Sequence, residues 1–157
     1  MTARVGMGFD VHPFVDDPER TLVLGGVALS GERPLAGHSD ADVVAHAVAD
    51  AVLGAADLGD LGEHFPDTDP AWRGADSMRL LASSVELVRA EGWAVANVDC
   101  SVVLEAPRLK AHRRAMQERL SEVVGAPVSV KAKRAEGLGS LGRGEGIACW
   151  AVALLER

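Results

Sequence analysis

Tyrosine is absent from the chain, and three tryptophans and three phenylalanines are its only other aromatic side chains besides histidine. A core of this composition has to rely on Ala, Val and Leu, whose small side chains let helices and strands approach closely. Cysteine is equally scarce. Cys100 and Cys149 stand far apart in apolar, strand-like runs, which reads as two reduced core residues rather than a disulfide or a metal site. No apolar stretch approaches the roughly 20 residues that span a bilayer, and the N-terminal residues do not form a signal-like hydrophobic run. The expectation is a cytoplasmic protein with no membrane partner. Basic residues are in the minority, and the net charge of −7 argues against nucleic acid as a partner.

What is present is an ordinary globular composition. Apolar residues make up 48% of 157 positions, so residues 1–157 are expected to form one domain with a single core. The charge is unevenly spread. Residues 108–143 hold nine of the sixteen Lys and Arg, whereas the first 107 residues carry eighteen acids against six bases. An acidic half suits metal ions and sugar hydroxyls and a basic half suits phosphates, but a solvated helix face accounts for the same asymmetry.

Strands are expected at 3–12, 21–24, 95–104, 128–133 and 147–155, where apolar residues alternate or run together. Helices are expected from Ser39, as a hydroxyl N-cap, toward Gly54, then over 76–91 and 108–124. Met78, Leu80, Leu81, Val85, Leu87 and Val88 form the apolar face of the second. Residues 27–38 read as a connection, 57–75 as a long loop and 137–146 as a glycine-rich loop. The alternation predicts a sheet covered by helices.

Asp10 and His12 point to the same face of an extended strand, because side chains alternate along it. His46, on the helix that follows, can close a set of three ligands with one position open, the pattern of a catalytic metal site. Zinc is the natural choice, with iron and manganese as alternatives. Asp42, His46 and Asp50 share one helix face. Asp42 and Asp50 are candidates to orient the imidazoles, or else simply a helix-start charge and a solvated residue. His38 precedes the helix N-terminus, where an anion is favoured. The carboxylates of Asp60, Asp67 and Asp69 lie in a Gly/Pro-rich loop and suit polyol hydroxyls. Lys131, Lys133 and Arg134 suit a diphosphate, with Glu136 placed to share a divalent cation. His64 and His112 read as surface residues.

Taken in order, Gly8-Phe9-Asp10-Val11-His12, His38-Ser39-Asp40 with His46, Phe65-Pro66-Asp67-Thr68-Asp69-Pro70, Ala106-Pro107, Val130-Lys131-Ala132 and Gly142-Arg143-Gly144-Glu145-Gly146 run the length of the chain. The sequence resembles the 2-C-methyl-D-erythritol 2,4-cyclodiphosphate synthase family. The resemblance implies an α/β (α+β) fold, a mixed sheet covered on one face by helices, in a homotrimer with its sheets around a threefold axis and active sites between subunits. It also implies a reaction in which a phosphate attacks a diphosphate within one cytidine-bearing substrate and CMP leaves. Asp10, His12 and His46 then correspond to the zinc ligands, and Glu136 to the ligand of Mg²⁺ or Mn²⁺. His38 and Ser39 correspond to residues around the phosphates. Asp60, Leu61, Gly62, Phe65, Pro66, Asp67, Thr68 and Asp69 correspond to the methylerythritol side. Leu104, Ala106, Pro107, Arg108, Leu109, Ala132 and Lys133 correspond to the cytidine side. Arg143 corresponds to a residue near the threefold axis.

The chain departs from that family where a run of threonines is usual. Lys133-Arg134-Ala135 stands there instead. Arg134 falls on the catalytic hydroxyl of the family. A guanidinium can replace it as a donor to phosphate oxygens, or can fold outward and leave a zinc- and nucleotide-binding relative without catalysis. Ser140 stands where the family often has phenylalanine.

Overall fold

The computed structural model describes residues 1–157. In chain order its elements are β1 (Ala3–Pro13), β2 (Leu22–Leu24), β3 (Val27–Leu29), α1 (Val43–Ala55), the short α2 (Leu61–His64), α3 (Ser77–Ala90), β4 (Ala94–Val103), α4 (Arg113–Val124), β5 (Val128–Lys133), the short α5 (Gly139–Gly142) and β6 (Gly146–Glu156). Four strands form one sheet in the order β1-β6-β4-β5. The β1–β6 and β6–β4 pairs are antiparallel and β4–β5 is parallel. This is the expected mixed sheet, with α1 lying on β1 and β6 and α3 and α4 completing the cover.

The core follows from the composition. Its buried side chains are almost all Ala, Val and Leu, with free Cys100 and Cys149 among them. Helix α1 is buried nearly all round, since the sheet lies on one side and α3 on the other. It sits unusually close to β1. A Cβ on Gly6 would lie 2.1 Å from the Ala51 carbonyl oxygen, and one on Gly8 would lie 1.9 Å from that of Ala47. Only glycine permits that approach.

Several local expectations need correction. Residues 27–29 are not connection but strand β3, paired antiparallel with β2. Gly25 and Gly26 are the two-residue turn, with φ of 57° and 72°, as a tight hairpin requires. Helix α1 starts later than expected. Asp42, not Ser39, is its N-cap, because the Asp42 carboxylate accepts from the N–H groups of Val44 and Ala45. The 57–75 loop contains α2 and a 3₁₀ turn at Pro70–Trp72, capped by Asp60 and Asp69. The basic helix begins at Arg113 rather than 108. Leu87 lies outside the core of α3, 38% exposed.

The sheet face away from the helices is bare and apolar. Val5, Met7, Phe9 and Val11 of β1 and Trp150 and Val152 of β6 are all exposed. Phe9 and Trp150 pair across the strands with ring centroids 4.9 Å apart.

Gly8→Ala is expected to lower the unfolding free energy by about 3 kcal/mol, the scale of severe overpacking. Urea titration reads this, and an unchanged midpoint would mean that helix and strand separate without cost.

Candidate metal centre and adjoining clefts

Asp10 and His12 continue the inward-facing row that begins with Gly6 and Gly8, because they lie two and four positions beyond Gly8. The close seating of α1 brings His46, the neighbour of Ala47, onto the same spot. Asp10 Oδ2 lies 3.0 Å from both His12 Nε2 and His46 Nδ1. One donor atom from each of the three residues falls within 4.8 Å of the others. The side chains of Asp10, His12 and His46 are 25, 19 and 10% exposed, so the ligand set is framed by protein yet open on one side.

Hydrogen bonds behind the imidazoles fix their tautomers. The Ala36 carbonyl oxygen, 2.7 Å from His12 Nδ1, accepts the proton there. Ser77 Oγ lies 2.8 Å from His46 Nε2 and donates its own hydrogen to Asp40 Oδ1. Ser77 therefore accepts from His46 Nε2–H. His12 Nε2 and His46 Nδ1 are left with lone pairs directed at a carboxylate oxygen. Three lone pairs converging on one point call for a proton or a metal ion between them, so the donor set fits a divalent metal. The electrostatics agree. Burial opposes ionisation of Asp10, but hydrogen bonds and charge from His12 and His46 outweigh it and hold the carboxyl down to about 2. Burial likewise opposes charge on His12, and Asp10 overrides it and raises the imidazole above its ordinary value.

Neither expected partner of the imidazoles has that role. Asp42 is fully buried and accepts from the N–H groups of Gly25 and Gly26 at 2.8 and 2.7 Å as well as capping α1. Burial pushes its carboxyl upward against those donors. Asp50 accepts from Leu61 N–H at 2.8 Å and so ties α2 to α1; burial raises its carboxyl too. Asp40 is the carboxylate behind the site, acting through Ser77. Two further residues escaped the sequence reading. Arg20 donates to the carbonyls of Leu35 and Ser39, 2.9 Å each, and pins the 35–39 segment beside the metal ligands. Trp72 stacks edge-on against Phe65 at 5.0 Å. An aromatic residue in a polar loop was the available signal for Trp72; Arg20, in a turn, offered none.

A cleft of about 460 Å³ opens over the three ligands and is also lined by His38, Ser39, Leu61, Gly62, Phe65, Pro66 and Asp67. These expected residues are brought together. His38 Nε2 donates to the Asp69 carbonyl oxygen at 3.2 Å, while the Ser39 hydroxyl faces inward, accepting from Ala41 N–H. Asp60, Thr68 and Asp69 lie outside the lining. His64 is not a free surface residue, since its Nε2 donates to Leu58 O at 2.7 Å.

A second cleft, about 570 Å³, is lined by Leu104, Glu105, Pro107, Arg108, Leu109, Lys110, Arg113, Ala132, Lys133 and Arg134. The expected cytidine-side residues therefore gather too, with Ala106 beside them in a smaller recess. The two large clefts share no residue. Glu136 and Arg143 line neither. Glu136 adopts φ 54° just after β5, and Arg143 pairs with Glu145 at 2.9 Å.

Fold and site define a small α+β protein with an Asp-His-His set fit for a divalent metal and a separate basic cleft. Comparison with known proteins places it further. The model of the YgbB family matches residues 3–156. A 2-C-methyl-D-erythritol 2,4-cyclodiphosphate synthase of Trichlorobacter lovleyi is 51% identical over 155 residues, 97% of this chain and 98% of its own. One from Bordetella petrii is 55% identical, covering 98% of this chain and 96% of its own. Among solved structures, the bifunctional IspDF of Campylobacter jejuni matches 98% of this chain with a TM-score of 0.93 at 41% identity, and this chain corresponds to 42% of that longer one. A CDP-bound 2C-methyl-D-erythritol-2,4-cyclodiphosphate synthase matches with a TM-score of 0.87 at 35% identity, over 98% of this chain and 100% of its own. The chain belongs to the YgbB family, that of the 2-C-methyl-D-erythritol 2,4-cyclodiphosphate synthases.

Ser77→Ala should weaken metal binding about 10–100-fold by freeing the His46 ring, measured by competition with a chromogenic chelator; unchanged affinity would remove Ser77 from the site. Acidity provides a second check. In metal-stripped protein the His12–Asp10 pair stabilises fully below the ordinary imidazole value of 6.5 and loses that contribution as pH rises through the raised value. Metal binding needs the unprotonated imidazole and strengthens over the same interval. The gap in Tm between metal-loaded and stripped protein should widen from about pH 5.5 to about pH 8; a constant gap would contradict the ligand set.

Proposed function

We propose that the protein converts 4-diphosphocytidyl-2-C-methyl-D-erythritol 2-phosphate to 2-C-methyl-D-erythritol 2,4-cyclodiphosphate and CMP, a phosphorus–oxygen lyase step of non-mevalonate isoprenoid synthesis. The observation that carries this reading is the convergence of three ligand lone pairs in a cleft also walled by His38, Phe65 and Asp67, in a chain whose relatives bear that name. Two imidazoles and a carboxylate with an open side suit zinc. Glu136, just after β5, would hold a Mg²⁺ or Mn²⁺ that supplies further positive charge to the diphosphate. No helix is long and apolar enough to cross a membrane, in keeping with a cytoplasmic enzyme.

The working form is a homotrimer. Six exposed apolar side chains share one sheet face. Burying a Val, Met or Phe contributes about 1.5–3 kcal/mol each, and a contiguous patch of this kind marks an association surface. Assembly through these faces would set the metal cleft of one copy against the basic pocket of another, which accounts for two clefts without a common residue. CDP in the solved relative supports a cytidine diphosphate ligand here.

In the reaction an oxygen of the 2-phosphate forms a bond to the β-phosphorus. The bond from that phosphorus to the bridging oxygen breaks, and CMP leaves with the electron pair. The attacking oxygen is already ionised, so no side-chain base is required. When bound, zinc supplies positive charge that polarises phosphate oxygens. Asp10, His12 and His46 would hold that ion, with Ala36 and Ser77 fixing the rings. His38 and Ser39 border the phosphates. Within the 60–69 segment Asp67 orients the polyol from the cleft wall, while Asp60 and Asp69 cap the short turns that present it. Arg108, Lys133 and Arg134 face the nucleotide. The rate gain then comes from alignment and charge neutralisation.

Purified protein with Zn²⁺ and Mg²⁺ should release CMP from this substrate as a species with the native mass of three subunits. His46→Ala should lose bound zinc and, with it, activity by on the order of a hundredfold or more. Intact substrate after incubation with the zinc-loaded trimer would overturn the assignment.

A further inference from the structure

Arg134, the first residue beyond β5, is held in a defined orientation. Its Nε and Nη2 both donate to Glu105 Oε2, at 3.1 and 2.8 Å. The other carboxylate oxygen of Glu105 accepts from Ala135 N–H at 2.8 Å. One carboxylate thus fixes both the guanidinium plane and the first peptide beyond β5. The Glu105 side chain is 15% exposed and that of Arg134 64%, so the anchor is sheltered and the cation is presented. A guanidinium carries five N–H groups, and Glu105 engages one edge. The hydrogens of Nη1 and the second hydrogen of Nη2 have no protein partner.

Both residues line the basic cleft. Arg108, Lys110, Arg113 and Lys133 line it too, and Glu105 is the only acid among its lining residues. A lone carboxylate in a phosphate-binding pocket repels the ligand unless it does something else there. Here it turns a flexible arginine into a fixed donor. Arginine suits this role because its planar fork keeps donors available on one edge while the other is held.

We propose that Glu105 is a positioning residue that holds Arg134 as a phosphate clamp for the bound nucleoside diphosphate. The inference rests on the nucleotide-binding reading above and adds a residue pair to it. The opposite view is that Glu105 merely neutralises Arg134 and withholds it from the ligand. The two views predict couplings of opposite sign.

Calorimetric titration of the zinc- and magnesium-loaded protein with CDP separates them, using wild type, Glu105→Gln, Arg134→Ala and the double variant, with cytidine as a phosphate-free control. Loss of a charge-assisted contact predicts that Arg134→Ala weakens CDP binding on the order of tenfold or more when Glu105 is present. The same change should cost under about threefold when residue 105 is Gln, because an unheld arginine gains less from the ligand. Cytidine affinity should not change. An equal or larger loss in the Gln background, or no loss with Glu105 in place, overturns the proposal. Glu105→Ala provides the second background where Glu105→Gln does not fold. CDP binding that is indifferent to Arg134 sinks this inference alone. A wild-type protein that binds no CDP and releases no CMP sinks the functional assignment with it.

Discussion

Everything at the metal centre depends on how closely one helix lies on one strand. Gly6 and Gly8 leave no side chain between β1 and the carbonyls of Ala51 and Ala47. A larger residue at either position would lift α1 from the sheet, and His46 would leave Asp10. The scarcity of aromatic residues is the composition-level sign of this tight seating. Close packing of small side chains forms a core that transmits displacement rather than absorbing it.

The acidic residues have two separate uses, and composition does not distinguish them. One is ligation, by Asp10. The other, more frequent, is satisfaction of backbone N–H groups that helix starts and turns leave unpaired. Asp42 caps α1 and gathers the hairpin turn, Asp50 holds the start of α2, Asp60 and Asp69 cap short turns, and Asp76 caps α3. These carboxylates shape the cleft by fixing the backbone around it. Part of the acidity of the first 107 residues is therefore structural, and the opposing basic residues of the second cleft are exposed and available to a ligand.

Much of this was legible beforehand. Period-2 alternation placed Asp10 and His12 on one face, and the helical stretch placed His46 opposite, because both signals follow from backbone geometry. The five principal strands and three long helices were visible for the same reason. What failed were choices between neighbouring polar residues. Ser39 and Asp42 both satisfy a capping pattern, and only the position of the Gly25–Gly26 turn, distant in sequence, makes Asp42 the cap. Asp40 was invisible as the residue behind His46 because Ser77 mediates the contact from 37 residues away. Strand β3 could have been read from two glycines between apolar runs. The direction of Arg134 depended on Glu105, 29 residues earlier, and no local pattern encodes it.

All three ligands, and both groups that orient the imidazoles, come from the same polypeptide. The basic cleft, by contrast, has its own walls elsewhere on the surface. Ion uptake thus needs only a folded single copy, whereas joining the two clefts would fall to the proposed trimer. Dilution that parted the copies of such a trimer would leave the ion's donors gathered while dispersing the rest of the site, so metal content and oligomer content would be independent measures of maturation.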